Sequence, residues 1–221
     1  MSNTKTKKIT AYAMFIAIAF VVMLVGRFPL IPAVPFLKTD PKDVIIVIAG
    51  FIYGPISAFI ISLIVSVIEM LTVSQTGPIG LLMNVLSTCA FACTAAAVYK
   101  KKRTLSGAVT GLIYGVIMMT ALMLLWNYLI TPLYMDTTRA DIAAMLIPVF
   151  LPFNLLKGAI NMGLTLLIYK PIVTALRKTK LIGQVVEDSA PNKSRTQGMV
   201  LLGFLLLATC ALVILVLKGV I

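Results

Sequence analysis

The amino-acid sequence predicts an all-α integral membrane protein: a six-helix transmembrane bundle with an additional transmembrane helix at its C-terminal end. Three observations carry this. Of the 221 residues, 60% are hydrophobic and only 12% charged, with a mean hydropathy of +1.06, well beyond a soluble globular domain. The apolar residues fall in runs of the roughly 20 residues that cross a bilayer core. The basic residues, which give a net charge of +12, stand in short clusters between those runs, as orienting signals do in membrane proteins. No base-reading module accompanies them, so nucleic acid is not an expected partner. The chain has no histidine, which removes the commonest general base and the commonest zinc ligand. Cys89, Cys93 and Cys210 lie inside apolar runs and read as small packing residues, not as metal ligands or disulfides.

The basic leader MSNTKTKK precedes an apolar run from Ile9 to Val25. Its length, and the Arg27 and prolines that follow where a cleavage site would stand, mark it as the first spanning helix, not a signal peptide. Ala13 and Ala17 form a small-xxx-small pair on it, suited to close approach by another helix or to ordinary internal packing. From Phe28 to Lys42 the chain reads FPLIPAVPFLKTDPK. Prolines 29, 32, 35 and 41 forbid a regular helix, so residues 28–42 are expected to form an extended loop outside the membrane or over a cavity. Its apolar residues Leu30, Ile31, Val34, Phe36 and Leu37 fit either a lid over a ligand or a loop packed on helix ends.

The apolar stretch from Val44 to Val73 is too long for one crossing, and Gly54-Pro55 divides it into a short helix and a second one. Two crossings place the basic N-terminus and the cluster Lys100 to Arg103 on one side, the cytoplasmic side under the positive-inside tendency. The second helix carries Ser62, Ser66 and Glu69 on one face. Glu69 reads as an interfacial carboxylate, with a ligand contact as the other possibility. Thr72, Ser74, Gln75 and Thr76 follow it, placed to line a cavity mouth. Helix four, Pro78 to Tyr99, holds Asn84 and a close-packing face from Ser87 to Ala97. Helix five, Leu105 to Leu129, opens with Gly107, Gly111 and Gly115 as a packing groove and ends in Trp126, Asn127 and Tyr128, the aromatics being typical of a membrane interface.

A polar loop, Thr131 to Ala140, and a partly helical lead, Asp141 to Ile147, introduce helix six, Pro148 to Lys170. It carries Asn154, Lys157 and Asn161, which offsets of three and seven residues put on one helical face. A lysine in hydrocarbon costs several kcal/mol, so this face turns to protein interior or to a wet cavity. Ligand binding is one use for it; a snorkelling lysine beside helix-bridging asparagines is the other. Residues 181–198 read as a cytoplasmic linker between the domain 1–180 and a further helix in 199–221, an appended anchor without a polar site.

With these elements in order, FLKTDPKDV, GFIYGP, VSQTGPIG, MNVLS, WNYL-TP-YM and PFNLLKGAIN resemble the riboflavin-specific substrate-binding components of energy-coupling factor (ECF) vitamin transporters, over roughly residues 8 to 180. The resemblance implies that Asn127, Asn154 and Lys157 contact the flavin and that the loop with Leu37, Lys38, Thr39 and Asp40 closes over it. It implies that the turn with Gln75, Thr76, Gly77 and Gly80, and Asn84, line the pocket. Ala13 and Ala17 would dock on a shared transmembrane subunit that works with two ATP-binding-cassette ATPases. The expected place is the bacterial cell membrane, multi-pass, with the N-terminus cytoplasmic. Riboflavin is the transported ligand, and no cofactor is expected. The chain has no GxxxxGK[ST] phosphate loop, and Glu69 is the only expected intramembrane carboxylate, so its energy is expected from partners. Three rivals remain: a binding component for another vitamin such as thiamine or biotin, a membrane enzyme, and a channel or assembly protein whose polar residues only join helices.

Overall fold

The computed structural model describes residues 2–30, 37–74, 76–135, 137–178 and 193–217. Gln75, residues 31–36 of the expected loop, residues 179–180 of the expected domain, residues 181–192 of the expected linker and residues 218–221 lie outside the described residues. Eight helices follow in order: α1 (Ser2–Gly26), α2 (Lys42–Tyr53), α3 (Pro55–Thr72), α4 (Gly77–Lys102), α5 (Leu105–Leu129), α6 (Arg139–Met145), α7 (Leu151–Lys178) and α8 (Lys193–Leu217). Between α1 and α2, β1 (Phe28–Pro29) and β2 (Lys38–Thr39) pair antiparallel, with Phe28 opposite Thr39. The expected loop is therefore closed at its stems by a short ribbon, and Lys42 belongs to the helix that follows.

Among the described residues, six helices are long and apolar enough to cross a membrane. Seven crossings were expected; the difference is α2. The break at Gly54-Pro55 stands where expected, with Gly54 at φ +95°, but the 12 residues of α2 rise only about 18 Å, short of a hydrocarbon core of about 30 Å. Its far end is anchored low, where Phe51 packs on Tyr99 and Tyr169 with ring centroids 4.5 and 5.8 Å away, directly before the Lys100–Lys102 cluster. The N-terminus of α2 consequently stops inside the bundle and leaves room above it. The bundle's polar and apolar surfaces are distributed around that space.

Apolar residues at four-residue steps hold the bundle. On α1, Ala11, Phe15, Ala19 and Met23 are buried, while Ala13 and Ala17 face outward and are exposed. The glycine groove of α5 is real: an added methyl at Gly111 would meet the Ala95 carbonyl oxygen of α4 at 2.7 Å, and one at Gly115 the Phe91 carbonyl oxygen at 2.6 Å. No larger residue fits between these backbones. Helix α8, which begins at Lys193 instead of Met199, packs on α7 by the same device, with a methyl at Gly203 meeting the Gly163 carbonyl oxygen at 3.1 Å. Before α7, Pro148 lies in a π-helical turn, Leu146–Phe150, where the Leu151 N–H donates to the Leu146 carbonyl. A proline cannot continue the ordinary ladder, and the wider turn absorbs it.

Gly111→Val tests the α4–α5 contact. It is expected to lower stability by about 1–3 kcal/mol, read as a fall in melting temperature of the detergent-solubilised protein, with an unchanged melting point as the contrary outcome.

Candidate functional site

At the end of the bundle where α1, α3 and α5 finish and α4 and α7 begin lies a cavity of about 390 Å³, within the roughly 300–1,000 Å³ of small-molecule sites. Its apolar wall includes Met23, Leu24, Leu37, Met83, Met123 and Phe153; its polar groups include Asn84, Ser87, Asn127, Asn154 and Lys157. Arg27, Lys38, Asp40, Glu69, Ser74 and Thr76 complete the lining. Of the residues singled out from sequence, Asn84, Asn127, Asn154, Lys157, Leu37, Lys38, Asp40 and Thr76 converge here. Thr39, Gly77 and Gly80 do not line it. Thr39 is buried in the ribbon that closes the loop, Gly77 makes the positive-φ turn into α4, and Gly80 gives space to the side chain of Thr76, which a Cβ there would strike.

Backbone carbonyls fix two of the three asparagines. Asn154 Nδ2 donates to the Phe150 carbonyl at 2.8 Å, one turn back at the end of the π turn. Asn127 Nδ2 donates to the Met123 carbonyl at 2.7 Å and its Oδ1 accepts from Thr131 Oγ1 at 3.0 Å. Each amide is thus held in one orientation while its residue lines the cavity.

The electrostatics differ from the sequence expectation. Glu69 is not an interfacial carboxylate: it is 3% exposed and receives Arg27 at one oxygen and Lys42 Nζ, at 2.5 Å, at the other. Asp40 Oδ2 lies 3.6 Å from Arg27 and 3.8 Å from Lys42 Nζ. Because Arg27 precedes β1 and Lys42 follows β2, Glu69 gathers both stems of the loop. Nor is Glu69 the only carboxylate buried in the bundle. Asp43, in the first turn of α2, is 0% exposed and lies 3.6 Å from Lys157 Nζ. Lys42 and Asp43 were missed because the DPKD segment reads as loop. The signal that could have found them is the proline-capped start of a short helix, where an acidic first turn also suits the helix dipole. Burial pushes the Asp40 carboxyl up, but the charges of Lys42, Lys157 and Arg27 outweigh it and hold the group below the ordinary carboxylate range. It is ionised at neutral pH.

Three residues of the lining, Arg27, Asp40 and Ser87, each keep a buried polar atom (Nε, Oδ1 and Oγ) without a hydrogen-bond partner among the described residues. A cavity lined by Asn84, Asn127, Asn154 and Lys157 beside apolar walls is suited to a ligand that is part flat and apolar, part hydrogen-bonding. Asn161, on the same helical face, lies below the cavity and donates from Nδ2 to Asp43 Oδ2 at 3.2 Å.

Comparison with known proteins agrees with this architecture. The family model "ECF transporter, substrate-specific component" matches residues 7–169. The riboflavin transporter RibU of Staphylococcus aureus (strain TCH60) is 33% identical, over 80% of this chain and 96% of that one. RibU of Streptococcus thermophilus is 34% identical, over 79% and 87%, and the riboflavin transporter FmnP of Bacillus subtilis 33%, over 71% and 86%. A solved structure of the S component of a bacterial ECF transporter is 31% identical, covers 78% of this chain and 99% of its own, and aligns with a TM-score of 0.66. Helix α8 follows the region that the family model matches. The chain belongs to the substrate-specific components of ECF transporters.

Proposed function

We propose that this protein is the riboflavin-binding subunit of an ECF-type uptake transporter, capturing the vitamin in the cavity between the α4, α5 and α7 ends and the loop stems. The observation that carries this reading is the convergence of Asn127, Asn154 and Lys157 on one cavity whose wall also holds Met23, Met83, Met123 and Phe153. Riboflavin combines a flat ring system having amide-like edges with a polyhydroxyl tail. Asparagine offers donors and an acceptor, lysine donors only, and the methionines and Phe153 offer the apolar surface. A ligand that meets these groups gains affinity and selectivity together, because an analogue lacking a partner atom leaves one of them unmet.

In this reading Asn84, Leu37, Lys38, Asp40 and Thr76 also contact the vitamin, and the loop closes over it. Thr39, Gly77 and Gly80 serve by shaping the segments around it. The loop end faces outward and the N-terminus lies in the cytoplasm. Supporting this orientation, Lys5, Lys7 and Lys8 on α1 and Lys100 to Arg103 at the C-terminal end of α4 all lie at the end away from the cavity, as the positive-inside tendency requires. The partners are a transmembrane subunit, which docks on the outward Ala13 and Ala17 face of α1, and two ATP-binding-cassette ATPases that supply the energy. No cofactor takes part. A carrier for a different vitamin would keep the same architecture, and the binding assay separates it.

Riboflavin fluorescence is expected to be quenched by the purified protein at submicromolar concentration; undiminished fluorescence, or competition by thiamine or biotin, would overturn the assignment. Asn154→Ala and Lys157→Ala are each expected to weaken binding by at least about 1 kcal/mol, measured in the same titration, and unchanged affinity in both would move the site elsewhere.

A further inference from the structure

The Asp43 carboxylate stands outside the cavity, yet it is the most completely enclosed charge of the site. It is 0% exposed and absent from the cavity lining. Thr88 Oγ1 of α4 donates to its Oδ1 at 2.6 Å, and Asn161 Nδ2 of α7 donates to its Oδ2 at 3.2 Å. The Lys157 ammonium lies 3.6 Å from the same Oδ2 and also lines the cavity. Thr88 and Asn161 fix the carboxylate from two helices, and the carboxylate in turn faces one side of the ammonium. An ammonium has three donors, so Lys157 can meet Asp43 and still present donors to a guest.

We propose that Asp43 is a positioning residue for substrate recognition, acting through Lys157: it holds the ammonium at the cavity wall with its free donors turned to the ligand. The inference rests on the binding reading above. Without Asp43, the lysine would sit in an apolar bundle with its nearest counter-charge gone, and such a group either neutralises or swings toward water. The other charges facing the region come from Asp40 before α2, Lys42 on α2, Arg27 after α1 and Glu69 on α3. Asp40 and Glu69 pair with Arg27 and Lys42, the Lys157 charge acting on Asp40 from beyond ion-pair distance, while the α4 and α5 walls offer only neutral Asn84, Ser87 and Asn127. No other carboxylate is within ion-pair distance of Lys157 among the described residues.

Asp43→Asn keeps the shape and removes the charge. Riboflavin titrations of wild type, Asp43→Asn, Lys157→Met and the double variant form the test, with melting temperatures as a folding check. Asp43→Asn is expected to weaken binding about tenfold in the wild-type background and less than about twofold when Lys157 is already Met. Equal losses in both backgrounds would assign Asp43 to joining helices only and overturn the inference. If Asp43→Asn alone fails to fold, the double variant is compared with Lys157→Met: a loss of binding under about twofold keeps the inference, and a larger loss or a double variant that does not fold overturns it. Wild-type protein that does not bind riboflavin rejects the vitamin reading instead, an outcome distinct from loss of coupling with wild-type binding intact.

Discussion

Six ionisable side chains, Arg27, Asp40, Lys42, Asp43, Glu69 and Lys157, meet at one end of an otherwise apolar bundle, three of each sign. Each alone would be expensive to bury, and removing one partner of a buried pair typically costs several kcal/mol. Together they are neutral, and their geometry ties the end of α1, the loop stems, α2, α3 and α7 into one unit. The cavity's polarity follows from this arrangement. Charge is matched around its floor, while amides, hydroxyls and spare lysine donors are left to face the enclosed space.

The short α2 is the geometric counterpart. Its far end is fixed among Tyr99 and Tyr169, so its rise of about 18 Å ends below the rim, and the cavity occupies the space that a full-length helix would fill. The same shortness buries Lys42 and Asp43 and brings them level with Glu69 and Lys157. One helix length thus produces both the room for a ligand and the electrostatic floor beneath it.

Much of this was legible in the sequence. Helical spacing alone placed Asn154, Lys157 and Asn161 on an inward face, and the break at Gly54-Pro55 and the close approach at Gly111 and Gly115 follow from residue chemistry that acts locally. What was not legible depends on partners distant in the chain. Glu69 reads as interfacial until Arg27 and Lys42, far from it in sequence, are seen to enclose it. Asp43 reads as loop because its burial is set by helix length and by Thr88 and Asn161, not by its neighbours. The Gly163 and Gly203 contact was missed for the same reason: Gly158 and Gly163, like Gly198 and Gly203, do not stand at the four-residue step of a packing groove, and they carry no pattern until the helices are paired.

The site joins an adaptable apolar wall of methionines to rigid polar groups, so selectivity resides in a few oriented atoms while the wall supplies affinity by excluding water. The most direct test of such an enclosed site is protection of a half-buried wall residue. In a variant lacking the native cysteines, Asn84→Cys is expected to react with a small thiol reagent in the free protein and to react at least about tenfold more slowly when riboflavin occupies the cavity. A labelling rate that saturating riboflavin leaves unchanged would contradict the account.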